Sequence, residues 1–210
     1  MPHLILLRHG KSEWNAKGLW TGHTDIDLIA EGRDEARAAA EAMRDIVIHR
    51  IHVSDLRRAH QTLHEVKKTL GIEHVPHTSH HALKERHYGI YTGKNKWQVK
   101  EEVGDEQFKN IRRGWDVKIP EGETLKDVYD RVAKYFDEYI APELAAGHNV
   151  LIVAHGNSLR ALAKHVEGMT EDEVCDLEIG TGEVHCYALD VNGKVTNKEI
   201  RSANTSKGKV

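Results

Sequence analysis

Two short apolar runs constrain the fold of this chain most. Leu4-Ile5-Leu6-Leu7 leads straight into Arg8-His9-Gly10, and Val150-Leu151-Ile152-Val153-Ala154 leads into His155-Gly156-Asn157. Apolar runs of about four to eight residues bounded by turn residues read as buried strands. Strands of a parallel sheet, covered on both faces, have this composition. In open α/β sheets, ligands gather at the carboxyl ends of the strands. Two strands that both end in His-Gly therefore predict two imidazoles meeting over one ligand.

The remaining periodicity alternates strands with helices. Strands are expected at 3–7, 48–54 and 149–154, and helices at 31–45, 56–70, 96–103, 105–114 and from 158 to about 166. Ala36, Ala39, Ala40 and Met43 share one helical face, and Gly71 ends the helix before it. Leu125, Val128, Val132, Phe136, Tyr139 and Ile140 form the apolar stripe of a long helix that Thr124 and Asp127 cap and that Pro142 and Gly147 end. Thr170 with Glu173 caps a further short helix. Segments 183–190 and 194–200 flank Asn192-Gly193, a strong hairpin turn. Residues 72–95 read as irregular. The fold class is α/β: a three-layer sandwich with a largely parallel central sheet, helices on both faces and an antiparallel edge strand.

No Pro/Gly/Ser-rich linker divides the 210 residues, so residues 1–201 are expected to form a single domain and 202–210 a mobile tail. Lys+Arg 30 against Asp+Glu 33 leaves a formal charge of −3, which argues against a general nucleic-acid or membrane-surface binder. An anionic ligand must then be held by a local cluster of cations. Cys175 and Cys186 make no disulfide framework. The first apolar run is too short for a signal peptide or a membrane span, so the expected compartment is the cytoplasm. Among 16 histidines, His74, His77, His80 and His81 lie close together. They have no neighbouring pattern of Cys, Asp or Glu typical of a metal site, and a solvated loop is the better account.

The strand-end residues carry the chemistry. Arg8 presents a planar fork suited to phosphate oxygens. A neutral His9, with a reference pKa of about 6.5, is a competent nucleophile. Gly10 allows close backbone approach to a ligand. His155-Gly156-Asn157 opens a helix whose free N–H groups favour anions. Arg57 and Arg58 begin another helix beyond a strand, and Arg112-Arg113 adds a cationic pair. Singly, each of these reads as a surface turn or a solvated charge run. Together they suggest a phosphate-handling site.

The chain resembles the 2,3-bisphosphoglycerate-dependent phosphoglycerate mutases of the histidine phosphatase superfamily. The resemblance rests on Arg8-His9-Gly10 with Ser12-Glu13-Trp14-Asn15 and Thr21-Gly22, and on Glu85-Arg86-His87-Tyr88-Gly89 with Gly93 and Lys96. Arg112-Arg113-Gly114-Trp115-Asp116 and His155-Gly156-Asn157-Ser158-Leu159-Arg160 extend it. Arg-His-Gly marks only the superfamily, whereas the Glu85 and Arg112 segments are more specific. The resemblance implies that His9 is phosphorylated and that Arg8, Arg58 and His155 surround the phosphoryl, with Asn15 and the Gly156 amide adding hydrogen bonds. Glu85 would be the general acid/base, its carboxyl raised from about 4.3 by the phosphates crowded near it. Lys96, Arg112 and Arg113 would hold the carboxylate and the non-reacting phosphate, while Thr21, Gly22, Tyr88 and Asn157 line the pocket. Phospho-His9 would phosphorylate a monophosphoglycerate, and the bisphosphorylated sugar acid would reorient and return its other phosphate. Cations then do what magnesium does in kinases, so 2,3-bisphosphoglycerate is the only cofactor expected and no metal is. The expected partners are small-molecule phosphoglycerates, with no nucleic acid and no membrane, in a monomer or a homo-oligomer such as a dimer.

The chain departs from the family pattern at Lys11, which places a cation beside the nucleophile, at His23-Thr24, at Lys84 and at Ile90-Tyr91-Thr92. It also lacks an insertion that longer members carry between the Arg-Arg segment and the long helix. Two rival readings are a phosphatase that passes the phosphoryl of His9 to water, and a non-catalytic His-rich metal- or anion-binding protein. Gly89-Ile90-Tyr91-Thr92-Gly93-Lys94-Asn95 imitates a nucleotide P-loop, but it is one residue short and lacks the following Ser/Thr.

Overall fold

The computed structural model describes residues 1–202. Strand β1 (His3–Arg8) leads into the one-turn helix α1 (Glu13–Ala16), where Ser12 and Asn15 cap each other's backbone reciprocally. Helix α2 (Ala30–Ala42), strand β2 (Arg50–Ser54) and helix α3 (Arg57–Leu70) follow, and α3 stops at left-handed Gly71. After β3 (His77–His80) come α4 (Lys96–Val103) and α5 (Asp105–Arg113), with Gly104 between them. Helix α6 (Leu125–Tyr135) starts at the expected Thr124–Asp127 capping box and continues through a π turn into α7 (Ala141–Ala145). Strand β4 (Val150–Ala154), helices α8 (Gly156–Glu167) and α9 (Glu171–Asp176), and the hairpin of β5 (Val184–Leu189) with β6 (Val195–Arg201) complete the order.

The six strands form one sheet in the order β3-β2-β4-β1-β5-β6. The first four are parallel, β5 runs antiparallel to β1, and β6 runs antiparallel to β5. The period of two divides β1 and β4 between the faces. Leu4, Leu6, Val150, Ile152 and Ala154 pack under α6, α8 and α9, while Ile5, Leu7, Leu151 and Val153 pack under α2 and α3. The α/β/α layering follows from the two central runs, Leu4–Leu7 and Val150–Ala154, which are apolar at every position. A third cluster, Trp20, Tyr88, Phe108, Ile111 and Ile119, seats α4 and α5 as a cap outside the main layers.

Register positions the site. Arg8 pairs with Ala154, and Val53 with Val153, so β1, β4 and β2 end side by side. The residues just beyond them are His9, His155 and Asp55.

Several expectations change. Residues 72–95 are not wholly irregular: His77–His80 adds a parallel edge strand to β2, and single 3-10 turns form at His81–Leu83 and Gly89–Tyr91. Strand β2 begins at Arg50 rather than 48, and α8 begins at Gly156 rather than 158. The wide π turn Phe136–Ile140 shifts the helical phase, so Tyr139 leaves the apolar stripe and is 46% exposed. Pro142 does not end the helix but lies in the first turn of α7, where its missing N–H is tolerated. The antiparallel edge is as expected: the terminal hairpin supplies it, with β6 outermost and paired antiparallel with β5. Of the tail expected at 202–210, residues 203–210 lie outside the described residues. Packing alone requires Gly10, since a Cβ there would collide with the Gly32 carbonyl on α2.

Candidate active site

His9 follows β1 and lies buried beside His155, with ring centroids 4.9 Å apart. This is the meeting of two imidazoles that the paired runs predict. The His9 Nδ1 lies 2.7 Å from the Gly10 carbonyl oxygen, which can only accept, so Nδ1 carries the proton. The lone pair is therefore on Nε2, where Arg58 Nε donates at 3.3 Å. Burial, then Arg58 and Arg8, hold the His9 pKa well below the usual histidine value, so the ring is neutral near pH 7.

Arg58 sits at the start of α3 and is fixed from behind by two carbonyls: Nη1 donates to Thr24 at 2.9 Å and Nη2 to Gly22 at 3.0 Å. Burial lowers its pKa to about 10, which leaves it charged at neutral pH. Arg57, next to it, turns away to Asp27 at 3.4 Å on the surface. Arg8 donates through Nη1 to the Ile179 carbonyl at 2.7 Å, while its Nε has no acceptor among the described residues. His155 meets the Ser54 hydroxyl through Nε2 at 2.7 Å, and its buried Nδ1 has no partner among the described residues. Buried polar atoms are normally paired, so two orphans beside one imidazole mark a place where a ligand's acceptor atoms belong.

From this floor a cleft opens, lined among others by Arg8, Asn15, Thr21, Gly22, Glu85 and Tyr88. Its far side carries Lys96 from the first turn of α4 and Arg112 and Arg113 from the last turn of α5. Gly156 and Asn157, at the N-terminus of α8, complete the wall. Asn15 directs its carboxamide oxygen to the Ser12 amide and hydroxyl, at 3.1 and 2.7 Å. The Asn15 amide nitrogen is thereby left for the cleft.

Glu85 has unequal oxygens. Oε1 accepts from the Arg86 amide at 2.8 Å and from the Asn157 amide and side chain, each at 3.0 Å. Oε2 accepts no hydrogen bond among the described residues and lies 3.6 Å from a Cβ built on Gly156. One oxygen is thus a pivot and the other is available for proton transfer. Asn157 also donates to the Tyr88 hydroxyl at 2.8 Å, and the Tyr88 ring rests on Trp20 with centroids 4.4 Å apart. The Lys96 pKa falls to about 7, chiefly through burial and then through Arg112 and Arg8.

All the site residues expected from the sequence converge here, eleven on the cleft wall and His9, Arg58 and His155 beneath it. The sequence reading missed Ser54, Arg86, Arg160 and Glu178. Arg160 holds the Asn157 carboxamide oxygen at 2.8 Å, and the i, i+3 spacing in α8 was the available signal. Arg86 is fully buried and donates to the Glu123, Ile111 and Val117 carbonyls, which ties the Glu85 segment to the end of α5. Glu178 lines the cleft and pairs with Arg113 at 2.7 Å. Nothing in its sequence surroundings singles it out. Lys11 does not stand free beside the nucleophile, because its Nζ pairs with Glu31 at 3.0 Å. His23 reaches the Glu85 carbonyl at 2.8 Å. Of the clustered histidines, His77 and His80 lie in β3, where His80 stacks on Tyr135 at 4.2 Å and caps the following turn. No group of three or more His, Cys, Asp or Glu among the described residues is arranged to hold a metal ion.

Comparison with known proteins follows the same lines. The model of the histidine phosphatase superfamily (branch 1) matches residues 4–199. The 2,3-bisphosphoglycerate-dependent phosphoglycerate mutase of Parvibaculum lavamentivorans is 41% identical, over 95% of this chain and 97% of that protein. Mutase 2 of the same description from Lactiplantibacillus plantarum is 38% identical, over 95% of this chain and 98% of its own length. Among solved structures, a mycobacterial glucosyl-3-phosphoglycerate phosphatase superposes with a TM-score of 0.77 at 27% identity, covering 90% of this chain and 93% of that one. Bacillus stearothermophilus YhfR gives 0.80 at 24% identity, covering 93% and 94%, and shows the shared fold. With its His9 floor, its cationic cleft and these full-length matches, the chain belongs to the histidine phosphatase superfamily and, within it, to the 2,3-bisphosphoglycerate-dependent phosphoglycerate mutases.

Proposed function

We propose that this chain interconverts 3-phosphoglycerate and 2-phosphoglycerate through a phosphohistidine at His9. The observation that carries the reading is one cleft with two cationic ends. At one end a neutral His9 Nε2 stands among Arg8, Arg58 and His155. At the other stand Lys96, Arg112 and Arg113, with the open oxygen of Glu85 in the same cleft. A ligand with one phosphate to transfer and further anionic groups to hold matches that layout. The unpaired Arg8 Nε and His155 Nδ1 fit phosphate oxygens.

2,3-Bisphosphoglycerate, when bound, supplies the phosphoryl group that primes His9. The substrate hydroxyl then attacks the phosphorus as the N–P bond to Nε2 breaks, and Glu85 Oε2 takes the hydroxyl proton. The electron pair returns to Nε2, which Arg58 Nε holds in position. Arg8, Arg58 and His155 stabilise the charge that spreads over the equatorial oxygens. In the return step Nε2 attacks the other phosphate, and Glu85 gives its proton to the departing oxygen. Asn15 and the Gly156 amide contribute hydrogen bonds to the phosphoryl, while Thr21, Gly22, Tyr88 and Asn157 shape the pocket. The reaction belongs to glycolysis and gluconeogenesis in the cytoplasm and uses free phosphoglycerates, and the chain acts as a monomer or a homo-oligomer. No helix among the described residues is long and apolar enough to cross a membrane.

Mass spectrometry at alkaline pH after incubation with 2,3-bisphosphoglycerate tests the reading. A phosphoryl group on His9, absent from His9→Ala together with turnover, is the expected result. Wild-type activity in His9→Ala would overturn it.

A further inference from the structure

The cleft holds a carboxylate that the chemistry above does not use. Glu178 lies between two anchored carbonyls: Leu177 accepts from Arg113 Nη1 at 3.2 Å, and Ile179 accepts from Arg8 Nη1 at 2.7 Å. The backbone on both sides of Glu178 is therefore pinned by the site's own arginines. Its side chain is held differently. Glu178 Oε2 lies 2.7 Å from Arg113 Nη2, and Oε1 lies 3.6 Å from Arg112 Nη2. No backbone N–H among the described residues donates to this carboxylate. The side chain is 23% exposed, so water can replace its partners as it turns.

We infer that Glu178 is a specificity-determining residue: its carboxylate neutralises Arg112 and Arg113 in the empty cleft and must be displaced by the remote anionic group of the substrate. The inference rests on the mutase reading for which group arrives there. Cations gathered in a low-dielectric cleft repel one another, and an internal counterion relieves that repulsion. Burial lowers the Lys96 pKa most, and the same repulsion adds to it, with Arg112 and Arg8 lowering it further and Glu85 and Glu178 raising it. An entering carboxylate competes with Glu178 for the arginines. A neutral, hydroxyl-bearing tail does not compete, and it can donate to Glu178 instead. Glu178 therefore narrows the preference of the cleft for an acid over an alcohol of the same length.

3-Phosphoglycerate and glycerol 3-phosphate are the probes, because they differ by a carboxylate against a hydroxymethyl group. Calorimetric Kd values are compared for the wild type and Glu178→Gln, with Glu178→Ala as a second variant and thermal unfolding as a check on folding. The expected result is a preference for 3-phosphoglycerate that rises roughly fivefold or more in both variants and shrinks with added salt. An unchanged or reduced preference would overturn the inference and make Glu178 a brace for the arginines. The two readings fail separately. A raised preference without mutase turnover would uphold Glu178 and sink the mutase, whereas normal turnover with unchanged preference would do the reverse.

Discussion

The two ends of the cleft are built by different means. The His9 end gathers beyond strand termini in the middle of the sheet, and main-chain carbonyls hold three of its four side chains: Gly10 for His9, Thr24 and Gly22 for Arg58, Ile179 for Arg8, while the Ser54 hydroxyl meets His155. The remote end stands on the termini of α4 and α5: Arg113 also donates to the Leu177 carbonyl, but a side chain, Glu178, pairs with both partly exposed arginines. Main-chain carbonyls cannot swing away as a side chain can, so they hold donors in place before a ligand arrives, which is what stabilising a transition state requires. Side-chain partners at helix ends can exchange for a ligand's groups, which is what binding and reorienting a substrate requires. The mobile step of the reaction is thus assigned to the end whose contacts can be swapped.

That contrast breaks most visibly at Glu85, which belongs to the rigid half. Glu85→Gln keeps the Oε1 contacts and removes the proton carrier. The kcat should fall by about 10² to 10⁴ with little change in KM, as steady-state kinetics would show. A rise in KM with kcat preserved would instead assign Glu85 to binding.

At the adjustable end, burial and the neighbouring arginines push the Lys96 pKa down to about 7. Anion binding favours its charged form, so 3-phosphoglycerate binding at pH 8 should take up about one proton per site. Affinity should weaken as pH rises above about 7. Calorimetry in buffers of differing ionisation enthalpy measures the uptake. Lys96→Met should abolish it and raise KM roughly tenfold or more. Uptake that persists in the variant would place the titrating group elsewhere.

The smallest effect concerns stability. Burial holds His9 and His155 neutral, with folded pKa values below that of the unfolded chain. Below about pH 6.5 the unfolded state binds protons that the folded state refuses, so stability is lost as pH falls through that window. Each fully buried ring contributes up to about 1.4 kcal/mol per pH unit. His23, His77 and His80 shift in the same direction from more exposed positions and add less. Urea unfolding at pH 7.5 and 5.5 should show a smaller loss in His155→Gln than in the wild type. An equal loss would mean that the buried rings charge without penalty.

The rigid end was the more legible in the sequence for a physical reason. Leu4–Leu7 and Val150–Ala154 are apolar at every position, and each meets His-Gly at its end, so both strand and site appear in one run. Helices α4 and α5 were expected at 96–103 and 105–114, close to where they form, and Thr124–Asp127 announced α6. Strand β3 was not, because His77-Thr78-Ser79-His80 has no apolar alternation; it is a strand because β2 offers it an edge. The π turn was hidden because a stripe from Leu125 to Ile140 assumes an unbroken 3.6-residue period. Glu178 was hidden because its role depends on Arg112 and Arg113, more than sixty positions away. Contacts set by local pattern can be read from the chain, and those set by the meeting of distant loops cannot.

The most direct test of the central claim is 3-phosphoglycerate turnover coupled to enolase, with and without catalytic 2,3-bisphosphoglycerate, while free phosphate is measured in the same reaction. The account predicts cofactor-stimulated 2-phosphoglycerate formation with little phosphate released. Phosphate release without isomerisation would contradict it and make His9 the nucleophile of a phosphatase.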